Sequence, residues 1–368
     1  MNIDFIEALN EIEREKGISK DILIDAIEAA LISSYKRNFN TAQNVRVDID
    51  RQTGVIKVYA RKTVVEEPLD PRMEISLEAA REINPHYQLD DIVEIEVTPS
   101  DFGRIAAQTA KQVVTQRIRE AERGLIYEAF IDKEEDIVTG IVQRQDARNI
   151  YVDLGKVEAV LPLNEIMPNE KFKQGDRIKV YITKVENTTK GPQILLSRTH
   201  PGLLKRLFEL EVPEIYDGVV EIKSVAREAG FRSKIAVYSR NPEVDPVGSC
   251  VGPKGIRVQT IVNELRGEKI DIVRWSEDVE EYVSNALSPA QVLEVIAHED
   301  EKIARVIVPD HQLSLAIGIK GQNARLAAKL TGWKIDIKSE SQAESEPGRP
   351  RAHEAEENEP VDEDEAME

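Results

Sequence analysis

One cysteine in 368 residues, Cys250, excludes an internal disulfide and fits a reducing compartment. Aromatic side chains make up only 5% of the chain, too few for broad base-stacking surfaces. No apolar run approaches the ~18 residues of a membrane-spanning helix, and the acidic, amphipathic stretch Met1 to Asn10 is not a signal peptide. A soluble, cytoplasmic protein with no membrane contact is expected. Catalytic chemistry is equally scarce. The histidines (His86, His200, His298, His311 and His353) show no zinc-ligand spacing, Cys250 has no partner cysteine, and no glycine-rich loop ends in Lys-Ser or Lys-Thr. Acidic pairs such as Asp90-Asp91 and Glu134-Glu135 fall near the ends of predicted elements, where water solvates them. Neither an enzyme nor a metal or other cofactor is expected.

What the chain does carry is a pair of matched loops, Gly252-Pro253-Lys254-Gly255 and Gly318-Ile319-Lys320-Gly321. Each opens onto an apolar-periodic helix that runs into Lys-Ile-Asp-Ile, at Lys269 to Ile272 and again at Lys334 to Ile337. With 19 glycines in the chain, about one Gly-x-x-Gly quartet arises by chance, so a lone copy means little. The repeated context is the signal. Glycines let the backbone pass close to a bulky anionic strand, and the lysine sets a cation beside it. That is the loop chemistry of the KH module, a clamp for single-stranded nucleic acid. Loop amides and the following helix N-terminus face phosphate, Lys254 or Lys320 adds charge, and Arg257 and Arg325 extend the contact. Gln322 and Asn323 offer hydrogen bonds to base edges.

A net charge of −19 argues at first against nucleic acid, because counterion release requires basic surface. Residues 339–368, however, hold 12 acidic and 2 basic side chains. More than half of the excess therefore sits in a tail of little apolar content, which cannot bury enough surface to order itself. Residues 131–338 are close enough to neutral to hold local basic faces.

Along the chain, Phe5, Ile6, Leu9 and Ile12 mark one helix ended by Gly17, and Ser19 reads as the N-cap of a second through Tyr35. Alternating strands follow at 45–49, 56–58 and 91–97, with a short helix at 76–83. A long proline-free helix runs from Asp101 to about Tyr127. The apolar stripes here read as core, with Leu31, Tyr35 and Phe39 the positions nearest a partner contact. Residues 131–199 hold five or six short strands between glycine and polar turns, the pattern of a small closed barrel. Residues 200–276 and 277–339 each read α-β-β-loop-α-β, with added helix before each loop, around 245–250 and 312–317. The expected architecture is α+β multidomain: a helical/β domain at 1–130, a five-stranded OB-type barrel at 131–199, tandem type II KH units at 200–276 and 277–339, and a disordered acidic tail at 340–368.

This order resembles the NusA family of bacterial transcription factors over residues 1 to about 340, through Asn285 to Ala290 and Gln322 to Ala327 as well as the loops. The barrel is similar to S-one domains through Thr139-Gly140-Ile141-Val142, Val152-Asp153-Leu154-Gly155 and Ile194 to Arg198. The resemblance implies a domain at 1–130 that binds RNA polymerase and a barrel-plus-KH arm that binds nascent single-stranded RNA. It also implies roles in pausing, termination and antitermination, with other antitermination factors as partners and a monomeric chain. RNA is favoured over DNA on this ground alone. The barrel departs from its pattern: Arg148-Asn149-Ile150-Tyr151 stands where many such domains have Phe-Gly-Ala-Phe, and Pro162 where they often have histidine. Tyr151 is the aromatic left to stack a base, and Arg148 is placed to stack or meet phosphate. A ribosome-assembly or translation factor is the alternative. An RNA-degrading exonuclease fits less well, since those enzymes place KH before barrel behind a large catalytic core.

Overall fold

The computed structural model describes residues 3–39 and 44–345. The chain divides into two compact units, one built on the residues up to Ala129 with Asn187–Pro192, the other on Phe130–Glu186 and the residues from Gln193 onward.

In the first unit, α1 (Ile3–Lys16) and α2 (Lys20–Asn38) precede β1 (Val45–Ile49) and β2 (Ile56–Val65). Then come β3 (Glu74–Ser76), α3 (Leu77–Ile83), β4 (Ile92–Glu96) and α4 (Phe102–Ile131). The long β2 pairs with all three other strands, antiparallel to β1 and β4 and parallel to β3. Alternation in β1 turns Val45, Val47 and Ile49 inward onto Ile6, Leu9, Leu23, Ile24, Ile27 and Leu31. Leu31 and Tyr35 are core, whereas Phe39 is 38% exposed and lies 4.9 Å from the Tyr35 ring. Ser19 occupies the N-cap of α2, yet its hydroxyl caps nothing. The Glu13 carboxylate instead accepts from the Lys20 amide at 3.1 Å.

The second unit begins with a closed barrel, β5-β6-β7-β9-β8, built from β5 (Ile137–Gln145), β6 (Asn149–Asp153), β7 (Glu158–Pro162), β8 (Arg177–Thr188) and β9 (Gly191–Ser197). The two short runs at Ile137-Val138 and Ile141-Val142 are one bulged strand, β5. Next come α5 (Pro201–Glu211), α6 (Pro213–Tyr216), β10 (Val220–Glu228), β11 (Arg232–Ser239), α7 (Pro246–Val251), α8 (Ile256–Glu264) and β12 (Lys269–Arg274). The plan repeats in α9 (Val279–Ala286), β13 (Glu294–His298), β14 (Ile303–Val308), α10 (Leu313–Ile317), α11 (Gln322–Thr331) and β15 (Lys334–Ser339). Both three-stranded sheets have one antiparallel and one parallel pairing.

The expected tail is corrected at its start. Glu340–Glu344 form α12, because Ser339 and Gln342 make a reciprocal capping box at its first turn. Ala343 is buried there. The rest of the expected tail, 346–368, lies outside the described residues.

Barrel and sheets are fastened by buried charge. The Arg198 side chain, 2% exposed, donates to Glu170, to Glu264 Oε1 at 3.3 Å and to the Glu264 carbonyl at 3.0 Å. Beside it, Arg227 forks onto both oxygens of Glu268 at 2.8 and 2.9 Å and donates to the His200 carbonyl. Ser233 Oγ and the Gly230 amide also donate to Glu268. The two α+β units share one core in which Ala226, Ala236 and Val273 pack with Val283, Leu326 and Leu330. Lys234, fully buried, donates to the Ser288 carbonyl at 2.7 Å and pairs with Asp271 at 3.0 Å. Burial pulls its ammonium below the ordinary lysine value, against the opposing pull of Asp271.

Burial pushes the Glu268 carboxyl up, but Arg227, Ser233 and Gly230 outweigh it and hold it below the ordinary range. A carboxylate depressed in the folded state contributes stability above its unfolded value, about 4.3, and loses it as pH falls through the folded value. Resistance to unfolding by urea should therefore fall progressively below about pH 4.3. Glu268→Gln, which leaves Arg227 buried without its counter-charge, should cost about 3 kcal/mol at pH 7 and flatten that acid dependence. A variant as stable as the parent would remove this carboxylate from the joint.

Candidate nucleic-acid interface

The two Gly-x-Lys-Gly loops adopt the same backbone. Gly252 and Gly318 sit at φ 72° and 76° with ψ 173° in both, and Lys254 and Lys320 at φ 52° and 53°. Gly255 and Gly321 follow at φ 74° and 73°. Three of the four residues in each loop thus have positive φ, and only the lysine does so with a side chain, at a cost of about 1 kcal/mol. The glycines have different reasons. A Cβ at Gly318 would lie 2.8 Å from the Asn323 amide nitrogen, and one at Gly252 would lie 2.7 Å from Arg257 Cγ. At Gly255 and Gly321 a Cβ would meet nothing within 4 Å. The outer side of each loop is therefore open to an approaching backbone, while the inner side is packed shut.

Lys254 and Lys320 are exposed and make no ion pair among the described residues. Pro253 and Ile319 are exposed too, Ile319 at 85%. The four loop glycine amides donate to carbonyls of the chain itself, so what each loop offers is an open outer rim, an unpaired cation and an apolar flank, a surface suited to phosphate with bases lying on the flank.

The other expected contacts are brought to the loops but are engaged with the protein. Arg257 donates to Glu214 at 2.9 Å and to the Ser249 carbonyl at 2.6 Å, bracing α8 against α6 and α7. Arg325 donates to Glu228 at 2.6 Å and to the Lys320 carbonyl at 3.3 Å. Gln322 donates to the other Glu228 oxygen at 2.8 Å. Arg325 holds the Glu228 carboxyl below its ordinary value, and Glu228 raises Arg325 in turn. One acidic residue at the end of β10 thereby fixes the start of α11.

Asn323 is corrected outright. It is 2% exposed, and its amide nitrogen donates to the Leu287 and Ala316 carbonyls, both at 3.0 Å. It lies three, four and seven residues before the buried Leu326, Ala327 and Leu330, so helical spacing turns it inward.

On the barrel, Tyr151 and Arg148 share a turn with Asp146, which accepts from the Tyr151 hydroxyl at 2.9 Å and the Arg148 amide at 2.8 Å. Arg144 was not singled out from sequence. It sits directly across the ladder from Tyr151, with its guanidinium 3.5 Å from the ring centroid and its far side on Glu158 at 2.6 Å. The ring expected to stack a base is already stacked, and two carboxylates neutralise its surroundings. The exposed Arg148 side chain remains the outward group there. Among the described residues no cluster of His, Cys, Asp or Glu is placed to hold a metal, and no helix is long and apolar enough to cross a membrane.

Asn323→Ala removes a donor from the buried Leu287 and Ala316 carbonyls and should cost about 1–3 kcal/mol. Chemical denaturation would reveal the loss. An Asn323→Ala chain with undiminished stability would return Asn323 to the list of surface contacts.

Family models cover nearly all of the described chain. They are described as the NusA N-terminal domain at residues 4–124, the S1 RNA binding domain at 131–197, the NusA-like first KH domain at 198–275 and the NusA-like second KH domain at 279–345. The chain is 76% identical over 344 residues to the transcription termination/antitermination protein NusA of Halalkalibacterium halodurans, covering 94% of this chain and 90% of the relative. It is 73% identical to that of Bacillus subtilis over 343 residues, with coverage of 93% and 92%. Against the longer protein of Rickettsia prowazekii it is 44% identical, over 93% of this chain and 68% of the relative.

Proposed function

This chain belongs to the NusA family of transcription termination/antitermination proteins, and from that membership we propose that it acts during transcript elongation by gripping emerging single-stranded RNA while docked on RNA polymerase. The observation that carries the RNA half is the duplicated loop. Two identical left-handed backbones, each with an open outer side and an exposed, unpaired lysine, are built into one unit with a shared core. RNA contact is assigned to Gly252 to Gly255 and Gly318 to Gly321, with Arg148 as a contact on the barrel. Arg257, Gln322 and Arg325 act mainly by fixing the loops, and Tyr151 stays paired with Arg144. The polymerase half is assigned to residues 1–130, whose acidic balance suits a protein partner better than a polyanion. The setting is the cytoplasm, and the role is recognition rather than catalysis.

Replacing Pro253-Lys254 and Ile319-Lys320 by Asp-Asp removes both cations and sets carboxylates beside the phosphate path. Aspartate tolerates the left-handed third position, so the fold should survive. Single-stranded RNA binding should fall to background in a filter assay while the unfolding transition is kept. RNA affinity equal to the parent's would sink the assignment of the loops. Independently, a 1–130 fragment should co-purify with RNA polymerase in the absence of RNA. A fragment that elutes apart from polymerase would count against that docking role.

A further inference from the structure

The two loops leave one chemically distinct corner of the first α+β unit unused. At the C-terminal ends of β11 and β12, Tyr238 and Trp275 meet edge to face, their ring centroids 5.5 Å apart at 84°. Lys223 of β10 holds its ammonium 5.1 Å from the Tyr238 centroid and 5.2 Å from that of Trp275. Tyr238 is 38% exposed, and Trp275 is half-buried near Tyr282. The two rings line a cavity of about 290 Å³ together with Asn241, Glu243, Asp245 and Arg274. In a chain with only 2 tryptophans and 9 tyrosines, two rings set at right angles around a cavity are a concentrated resource.

Charge decides what fits. Arg274 is paired with Asp245 at 3.0 Å, and Lys223 with Glu221 at 2.6 Å. The cations at this corner are therefore already neutralised, which makes it a poor phosphate site. Lys223 also occupies the cation position over both rings, so an arginine or lysine from a basic peptide would meet like charge. A flat, neutral, hydrogen-bonding ring meets no like charge and can lie on the solvent-open side of Tyr238, away from Lys223, and the volume suits a single small ring system. Placement agrees. Pro246, the first residue of α7, lines the cavity, and the helix ends at Gly252 of the first loop. Six residues of helix rise about 9 Å. A KH loop clamps about four nucleotides, so a strand held at Gly252 to Gly255 reaches the cavity.

We propose that this corner is a base-stacking subsite, where one unpaired nucleobase of the strand held by the first loop seats against Tyr238 and Trp275. The inference rests on the RNA-binding reading above. Base–aromatic stacking is sequence-tolerant, so the subsite would add affinity with little base preference.

The test uses the full chain, a short unstructured single-stranded RNA oligonucleotide and an abasic strand of equal length. Trp275 packs on the core shared by the two sheets, so Tyr238 is the position to truncate. Tyr238→Ala should weaken RNA binding about tenfold by anisotropy, Tyr238→Phe should keep parental affinity, and the abasic strand should not distinguish the three chains. Tryptophan emission should be quenched by the RNA, not by the abasic strand, and the quench should vanish in Trp275→Phe, because Trp333 is buried. Parental affinity in Tyr238→Ala with unmoved emission overturns the subsite while leaving RNA binding by the loops intact. A chain that binds no RNA at all overturns the functional reading and the subsite with it. Quenching by an oligo-arginine peptide but not by RNA assigns the corner to a protein partner and overturns the subsite.

Discussion

Buried charge at the joint between the barrel and the first α+β unit, and just beside it within that unit, is the constraint on which this part of the chain depends. Arg198 and Arg227 are taken out of water almost completely, and an unpaired guanidinium there would cost several kcal/mol. Each is satisfied only when Glu170 and Glu264, or Glu268 and the His200 carbonyl, stand in one arrangement. Hydrophobic contact alone, as between Met167 and Leu203 or Phe208 in their common cluster, tolerates sliding. Forked hydrogen bonds do not, because their geometry is directional. The ion pairs add positional specificity to a joint whose affinity comes from apolar burial.

The same logic recurs between the two α+β units, with exposed and buried groups alike. Glu228 receives Gln322 and Arg325, Ser224 donates to the Leu330 carbonyl, and Lys234 reaches the Ser288 carbonyl. Every one of these crosses from the first α+β unit to the second. Polar residues that look available for a ligand in a one-dimensional reading are used to hold one half of the interface against the other. What remains free for a strand is the backbone rim of each loop and its lysine.

The elements legible from sequence were those set by local rules. Helix spacing, strand alternation, glycine placement and the duplicated Lys-Ile-Asp-Ile depend on near neighbours, and the loops follow from the same locality. The capping box at Ser339 and Gln342 was equally local but masked by the acidic composition around it. Asn323 had a readable signal in its spacing to Leu326, Ala327 and Leu330, overridden by the expectation that a polar residue beside a loop faces outward. The pairings of Arg198, Arg257 and Arg325 had no such trace. Their partners lie 28 and 66, 43, and 97 residues away, and a charged residue shows the same letter whether solvated or buried. Arg144 over Tyr151 falls between these cases, since it follows from strand register, which depends on the bulge in β5.

The core shared by the two α+β units makes the pair of loops a caliper. A flexible tether between two weak clamps would let each search independently and would sacrifice chain entropy whenever both closed. On the proposed RNA reading the jaws are preset, so a strand that fills one would be delivered to the other at a fixed span, and the second contact would add to the first with little further ordering. Such an instrument reads distance along a polymer rather than letters. A strand whose contact points are too close or too far apart must buckle or stretch to satisfy both.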